Sequence, residues 1–204
     1  MSAPDAFGLA GCLSLCLAVA ATVLRLDRFP ARIRHAVLLI AVVALFVPVG
    51  GLPLVAHVRG ATGDLSMSTL ALAAGALFFR LTGRAAIDKR EASALLRLVA
   101  AAGLFLYPLA LGLTPFDPYA PGYGSPLFTT ALLLVTLAAW RAGLKLVVAV
   151  VLAGALACLA GLYESRNLWD CLIDPLAAAY ALGVLLAAAG RKLLSQRRQG
   201  APVV

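Results

Sequence analysis

Seven apolar stretches, near residues 6–24, 36–56, 66–83, 97–114, 126–140, 144–162 and 175–190, are separated by short breaks whose charge alternates in sign. A helix that crosses hydrocarbon takes about 20 mostly apolar residues. Each backbone polar group inside lipid must be satisfied locally, which helices do segment by segment. Apolar residues make up 63% of the chain and charged residues 13%, with a mean hydropathy of +0.98, whereas soluble domains carry about 25% charged residues. A water-soluble fold is excluded, and spans with short loops leave no length for a soluble catalytic domain.

The basic residues set the orientation, because cytoplasmic loops carry the excess of Lys and Arg. Arg25, Arg28, Arg32 and Arg34 fill the first break. Arg80, Arg84, Lys89, Arg90 and Arg97 surround the third, Arg141 and Lys145 the fifth, and Arg191, Lys192, Arg197 and Arg198 the chain end. These are all but two of the 17 basic residues; the others, Arg59 and Arg166, lie in the second and sixth breaks. Asp5, Asp64, Asp117, Glu164, Asp170 and Asp174 fall at the chain start and in the even-numbered breaks. One side thus holds fifteen bases against three acids, and the other two bases against six acids.

A wrong span count would scramble this alternation from the error onward. The expectation is an all-α polytopic transmembrane helical bundle of about seven spans, with the N-terminus outside and the C-terminus cytoplasmic. Residues 1–198 form its single domain and 199–204 a frayed cytoplasmic tail. Stretches three, five and seven are short for spans, so six spans plus a re-entrant piece is the alternative count. Ala18-Val19-Ala20 resembles a signal cleavage site, but a basic leader is missing and Asp5 stands in its place, so the first stretch is expected to remain as a span. Short loops and the positive-inside bias fit a bacterial inner membrane.

The net charge of +8 lies in short runs beside apolar stretches, which points to membrane lipids as partners and to no nucleic acid. Span interiors hold essentially no ionisable residues, so a proton-coupled transporter is disfavoured. Arg80 and Arg97 are expected to snorkel from span ends. Gly75, Gly103, Gly154, Gly161 and Gly183 are expected to let helices approach closely.

Chemistry is expected on the outer face. In the second break, Pro48, Gly50, Gly51 and Pro53 interrupt helical bonding before His57, Arg59 and Asp64. Asp64 is placed to cap the third span. The fourth break, Thr114 to Pro126, has four prolines and two tyrosines, Tyr119 and Tyr123, with Asp117 among them, and reads as a shaped lid. Both tyrosines suit the headgroup level or a site for a sugar or headgroup.

The sixth break runs Tyr163-Glu164-Ser165-Arg166-Asn167-Leu168-Trp169-Asp170-Cys171-Leu172-Ile173-Asp174-Pro175. Asn167 with Asp170 reads as a capping pair for a short interfacial helix, and Asp174-Pro175 as the start of the last span. Catalytic candidates are Glu164, Asp170, Asp64 and His57, since carboxylates with a His can act as acid and base or hold a divalent cation. Ligand-binding candidates are Arg166, Asn167, Asp117, Tyr119, Tyr123 and Trp169. Cys171 with His57 and Arg166 is a further, thiol-based arrangement.

The four cysteines have no metal spacing, and neither a metal nor a cofactor is expected. Cys158 and Cys171 read as free thiols, with a disulfide as the alternative. Hydrolase, zinc-protease and phosphate-loop motifs are absent.

The leading expectation is a binding or accessory membrane subunit whose outer loops recognise a lipid headgroup, a lipid-linked sugar or a partner membrane protein. The alternative is a small membrane-embedded transferase or hydrolase acting through the carboxylates and His57. A channel is least supported, because only Thr129, Thr130, Thr136, Tyr107 and Tyr180 offer polar groups along a path.

Overall fold

A computed structural model describes residues 2–113 and 115–199. Among these residues nine α-helices follow one another: α1 (Ala3–Val23), α2 (Ala31–Leu45), α3 (Leu54–Thr62), α4 (Met67–Thr82), α5 (Lys89–Pro108), α6 (Pro126–Arg141), α7 (Lys145–Leu159), α8 (Leu168–Leu172) and α9 (Pro175–Gln199).

 The helix α7 ends at Leu159, where Ala160 and Gly161 turn the chain.

Their boundaries follow local chemistry. Ser2 caps α1, with Asp5 completing the reciprocal pair, while Ser66 caps α4 and Asp88 caps α5. Pro126 opens α6 and Pro175 opens α9, each at a position whose N–H would go unused. Two short strands, β1 (Pro48–Val49) and β2 (Leu52–Pro53), form an antiparallel hairpin around Gly50-Gly51. Both glycines have positive φ, 59° and 88°, as a two-residue hairpin turn demands.

α1 packs along α4, and α5 along α9, while α7 touches α4, α5, α6 and α8. The core lies where Leu95, Val99 and Leu106 of α5 meet Val147, Val150 and Val151 of α7 and Ala177 and Ala181 of α9. Gly103 and Gly154 permit these approaches, since a Cβ would stand 2.6 Å from Ala178 Cβ and 2.7 Å from Leu172 Cδ2 respectively.

Three helical stretches, Ala3–Val23, Lys89–Gly112 and Pro175–Gln196, are long and apolar enough to cross a membrane. Only 28%, 39% and 17% of their most apolar windows are buried inside the fold. The rest of that apolar surface faces outward, which a chain in water would not tolerate at this extent. The protein is therefore a helical membrane protein. The apolar helices α4, α6 and α7 are shorter, at 16, 16 and 15 residues.

The loops fall into two sets. At the basic end, Asp27 pairs with Arg80 and the Arg34 guanidinium donates to the Leu81 carbonyl. Arg90 donates to the Ala142 carbonyl at 2.8 Å, and the Lys145 amide donates to Glu91 at 3.0 Å. The chain start and the loops after α3, α5 and α7 meet at the opposite, acidic end.

Several expectations need correction. In the second stretch the helix breaks ahead of the expected interruption: α2 stops at Leu45, and Pro48 with the Gly50-Gly51 turn redirects the backbone into a hairpin that was not expected. Arg80, in the last turn of α4, pairs with Asp27 at the basic end. Gly161 shapes a turn and Gly183 approaches no neighbour, so neither seats a helix. The last helix runs through Gln199; the remainder of the expected tail, 200–204, and Thr114 of the fourth break lie outside the described residues.

Candidate functional site

The acidic end is organised around Arg59, which α3 carries one turn before its end. Its Nε donates to Asp64 Oδ1 at 2.9 Å, one terminal nitrogen to Asp5 at 3.1 Å, and the other to Glu164 at 2.5 Å. The Arg59 and Asp64 side chains are only 15% and 11% exposed, but that of Glu164 is 67% exposed. The second oxygen of Asp64 accepts the Glu164 amide at 3.0 Å. Gly8 makes room for this pair, since a Cβ there would stand 2.3 Å from both Arg59 Nε and Asp64 Oδ1.

Asp174 builds the second junction. One oxygen accepts the Ser66 amide at 2.8 Å and the Thr69 hydroxyl at 2.5 Å, and the other accepts the Ala177 amide at 2.7 Å. Ser68 donates to the Leu172 carbonyl at 2.5 Å, and the buried Tyr163 hydroxyl donates to the Leu65 carbonyl at 3.2 Å. Burial pushes the Tyr163 phenol well above its ordinary range, so it stays a donor.

The fourth break folds onto α8 as a lid. Trp169 Nε1 donates to the Pro118 carbonyl at 2.9 Å, and Asn167 Nδ2 to the Tyr119 carbonyl at 3.0 Å. The Tyr119 hydroxyl donates to Asp170 at 2.6 Å, while its amide donates to Asp117 at 2.8 Å. Burial, with the Asp170 carboxylate beside it, pushes the Tyr119 phenol up. Gly122 sits so close that a Cβ would fall 1.8 Å from Asn167 Oδ1. Tyr123 packs edge-on against Tyr119, their ring centres 5.7 Å apart.

The sequence-derived candidates thus divide. Asp64 and Glu164 meet at Arg59, whereas Asp170 joins Asn167, Asp117, Tyr119, Tyr123 and Trp169 in the lid. His57 belongs to neither group, because its Nε2 lies 2.8 Å from the Val49 carbonyl and so holds the hairpin. Arg166 is exposed and makes no hydrogen bond or ion pair among the described residues. Asn167 and Asp174 cap α8 and α9 as expected. Asp64 does not cap α4, which starts at Met67 under Ser66; Asp64 is taken by Arg59 instead. Asp170 does not close a capping pair with Asn167, whose amide donates to Ser165 while Asp170 accepts Tyr119. Cys171 is buried, its thiol pushed up by burial and by the neighbouring Cys158, and both are free thiols. It does not meet His57. Among the described residues no group of three His, Cys, Asp or Glu side chains is arranged to hold a metal.

Arg59 and Asp5 were the members that sequence reasoning missed. Arg59 is one of only two Lys or Arg residues in the acidic loop set, which is the available signal.

Two apolar recesses open between helices. One, of about 180 Å³, lies among α5, α6 and α7, lined by Leu98, Ala102, Phe128, Ala131 and Val135 and roofed by Trp169. The other, of about 450 Å³, lies among α1, α4 and α9. No family model, curated protein or solved structure matches this chain.

Proposed function

We propose that the chain is a seven-span protein of a bacterial inner membrane, with its acidic end outside and its basic end in the cytoplasm. It acts as a binding or accessory subunit whose outer loops recognise a lipid headgroup or a lipid-linked sugar. Support for the orientation comes from the loops, which meet in alternate sets at two ends with bases concentrated at one. At about 1.5 Å per residue α4, α6 and α7 reach about 22–24 Å, which a locally thinned bilayer accommodates.

The observation that carries the binding reading is the recess between α5 and α6 directly under the lid. Its volume of about 180 Å³ exceeds the roughly 150 Å³ that holds a benzene ring in an engineered apolar cavity. Trp169 belongs to both parts: its ring roofs the recess and packs on Phe128 at 4.7 Å, while its N–H fastens the lid. An apolar chain fits below it, with the headgroup facing Tyr123, Asp117 and the uncommitted Arg166.

The transferase or hydrolase alternative requires a free carboxylate or imidazole facing a substrate. Asp64 and Glu164 are engaged by Arg59, Asp170 by Tyr119 and His57 by the hairpin, so the geometry lends it no support. A partner-protein role has no specific observation in its favour.

The test is to excise the protein with its surrounding lipid in polymer nanodiscs and compare the extracted lipids with those of the bulk membrane. One lipid species should be enriched, and Ala131→Trp, which fills the recess, should abolish the enrichment. Lipid composition that mirrors the bulk for both proteins would sink the reading.

A further inference from the structure

The recess among α1, α4 and α9 lies apart from the lid and has a different chemistry at its mouth. We propose that it holds one acyl chain of an anionic phospholipid whose phosphate is bound by Arg25 and Arg28. The α1 wall runs from Leu15 through Ala18 and Val19 to Thr22 and Val23, opposite Leu72 and Ala76 of α4 and Tyr180 of α9. From Leu15 to Val23 the helix rises about 12 Å. A volume of about 450 Å³ over that length leaves a cross-section of about 40 Å². A partner helix of 10–12 Å diameter needs on the order of 80–110 Å², so the recess suits a hydrocarbon chain and excludes a helix.

The phosphate follows from charge at the rim. Two residues past Val23, Arg25 adopts the left-handed conformation, with φ 52°, and ends α1. Arg25 and Arg28 are exposed and follow Val23, the last α1 residue of the groove wall, by two and five positions. Asp27 is held by Arg80, with Arg28 beside it, and Arg34 donates to the Leu81 and Phe29 carbonyls. Two exposed cations just past the α1 end of an apolar groove match a phosphate above an acyl chain.

The experiment measures phospholipid retained by the detergent-purified protein, using native mass spectrometry with phosphatidylglycerol and phosphatidylcholine of identical chains. Wild type should retain phosphatidylglycerol at least about fivefold over phosphatidylcholine, about the factor that one arginine near a lipid surface supplies. Arg25→Asn with Arg28→Gln should reduce phosphatidylglycerol to the phosphatidylcholine level; Asn is chosen because it tolerates the left-handed backbone. Val19→Trp fills the groove from its exposed side and should lower retention of both lipids, with thermal unfolding reporting that the fold persists. Equal retention of the two lipids by wild type would overturn the proposal, as would indifference to Val19→Trp. Phosphatidylglycerol retained by the Arg25→Asn, Arg28→Gln variant at the wild-type level would overturn it too, since the headgroup would then be held elsewhere.

Discussion

The Asp174 carboxylate accepts the Ser66 amide at 2.8 Å across 108 positions of sequence, so the residue that caps α9 also fixes the start of α4. Three buried donors share this one carboxylate. Asp174→Ala leaves them without an acceptor, each such loss costing about 1–3 kcal/mol. Thermal unfolding in detergent should show destabilisation of about 3 kcal/mol or more, with Asp174→Asn less affected because its amide oxygen still accepts. An Ala variant that unfolds like wild type would contradict this assignment.

Arg59 should be coupled unequally to its partners. The Arg59–Asp64 pair is largely shielded, so a double-mutant cycle should return about 1–3 kcal/mol. Glu164 is mostly exposed, and its cycle with Arg59 should return no more than about 1 kcal/mol. Equal coupling would mean that burial does not grade these ion pairs.

Cys171 should resist thiol reagents in the folded protein. Its raised pKa keeps it a neutral thiol as the pH climbs past the ordinary cysteine value, and only the thiolate is reactive. Maleimide labelling at pH 8, read by peptide mass spectrometry, should be slow until the protein is denatured. Rapid labelling in the native state would refute the buried placement.

Orientation has a direct readout. In a cysteine-free background, Asp117→Cys and Ser165→Cys should react with a membrane-impermeant maleimide on intact cells. Ser195→Cys should react only after permeabilisation. Labelling of all three from one side would rule out α9 as a span.

Most helix positions were legible because apolar length and charge alternation are local properties. The expected stretch 126–140 and the observed α6, Pro126–Arg141, differ by one residue. Gly50-Gly51 between Val49 and Leu52 is a readable hairpin signal, but Pro48 and Pro53 drew attention to the helix end instead. Capping by Asn167 and Asp174 was readable because it acts over two or three residues. The role of Asp64 was not, because its partner Arg59 is brought to it by α3 and held there by Asp5 and Glu164, 54 and 105 positions from Arg59. No local pattern encodes such pairings.

The junction between the second and sixth breaks has a consequence for biosynthesis. A ribosome adds about 5–20 residues per second, so the 105 positions from Arg59 to Glu164 take about 5–20 s to emerge. During that interval Ser66 and Thr69 await Asp174, and the early helices sit in the translocation machinery without their closing contacts. A nascent chain arrested near residue 160 should therefore expose the loop after α3 to protease. The completed chain should protect it, making the arrival of α8 and α9 the step that commits the first half to its final packing.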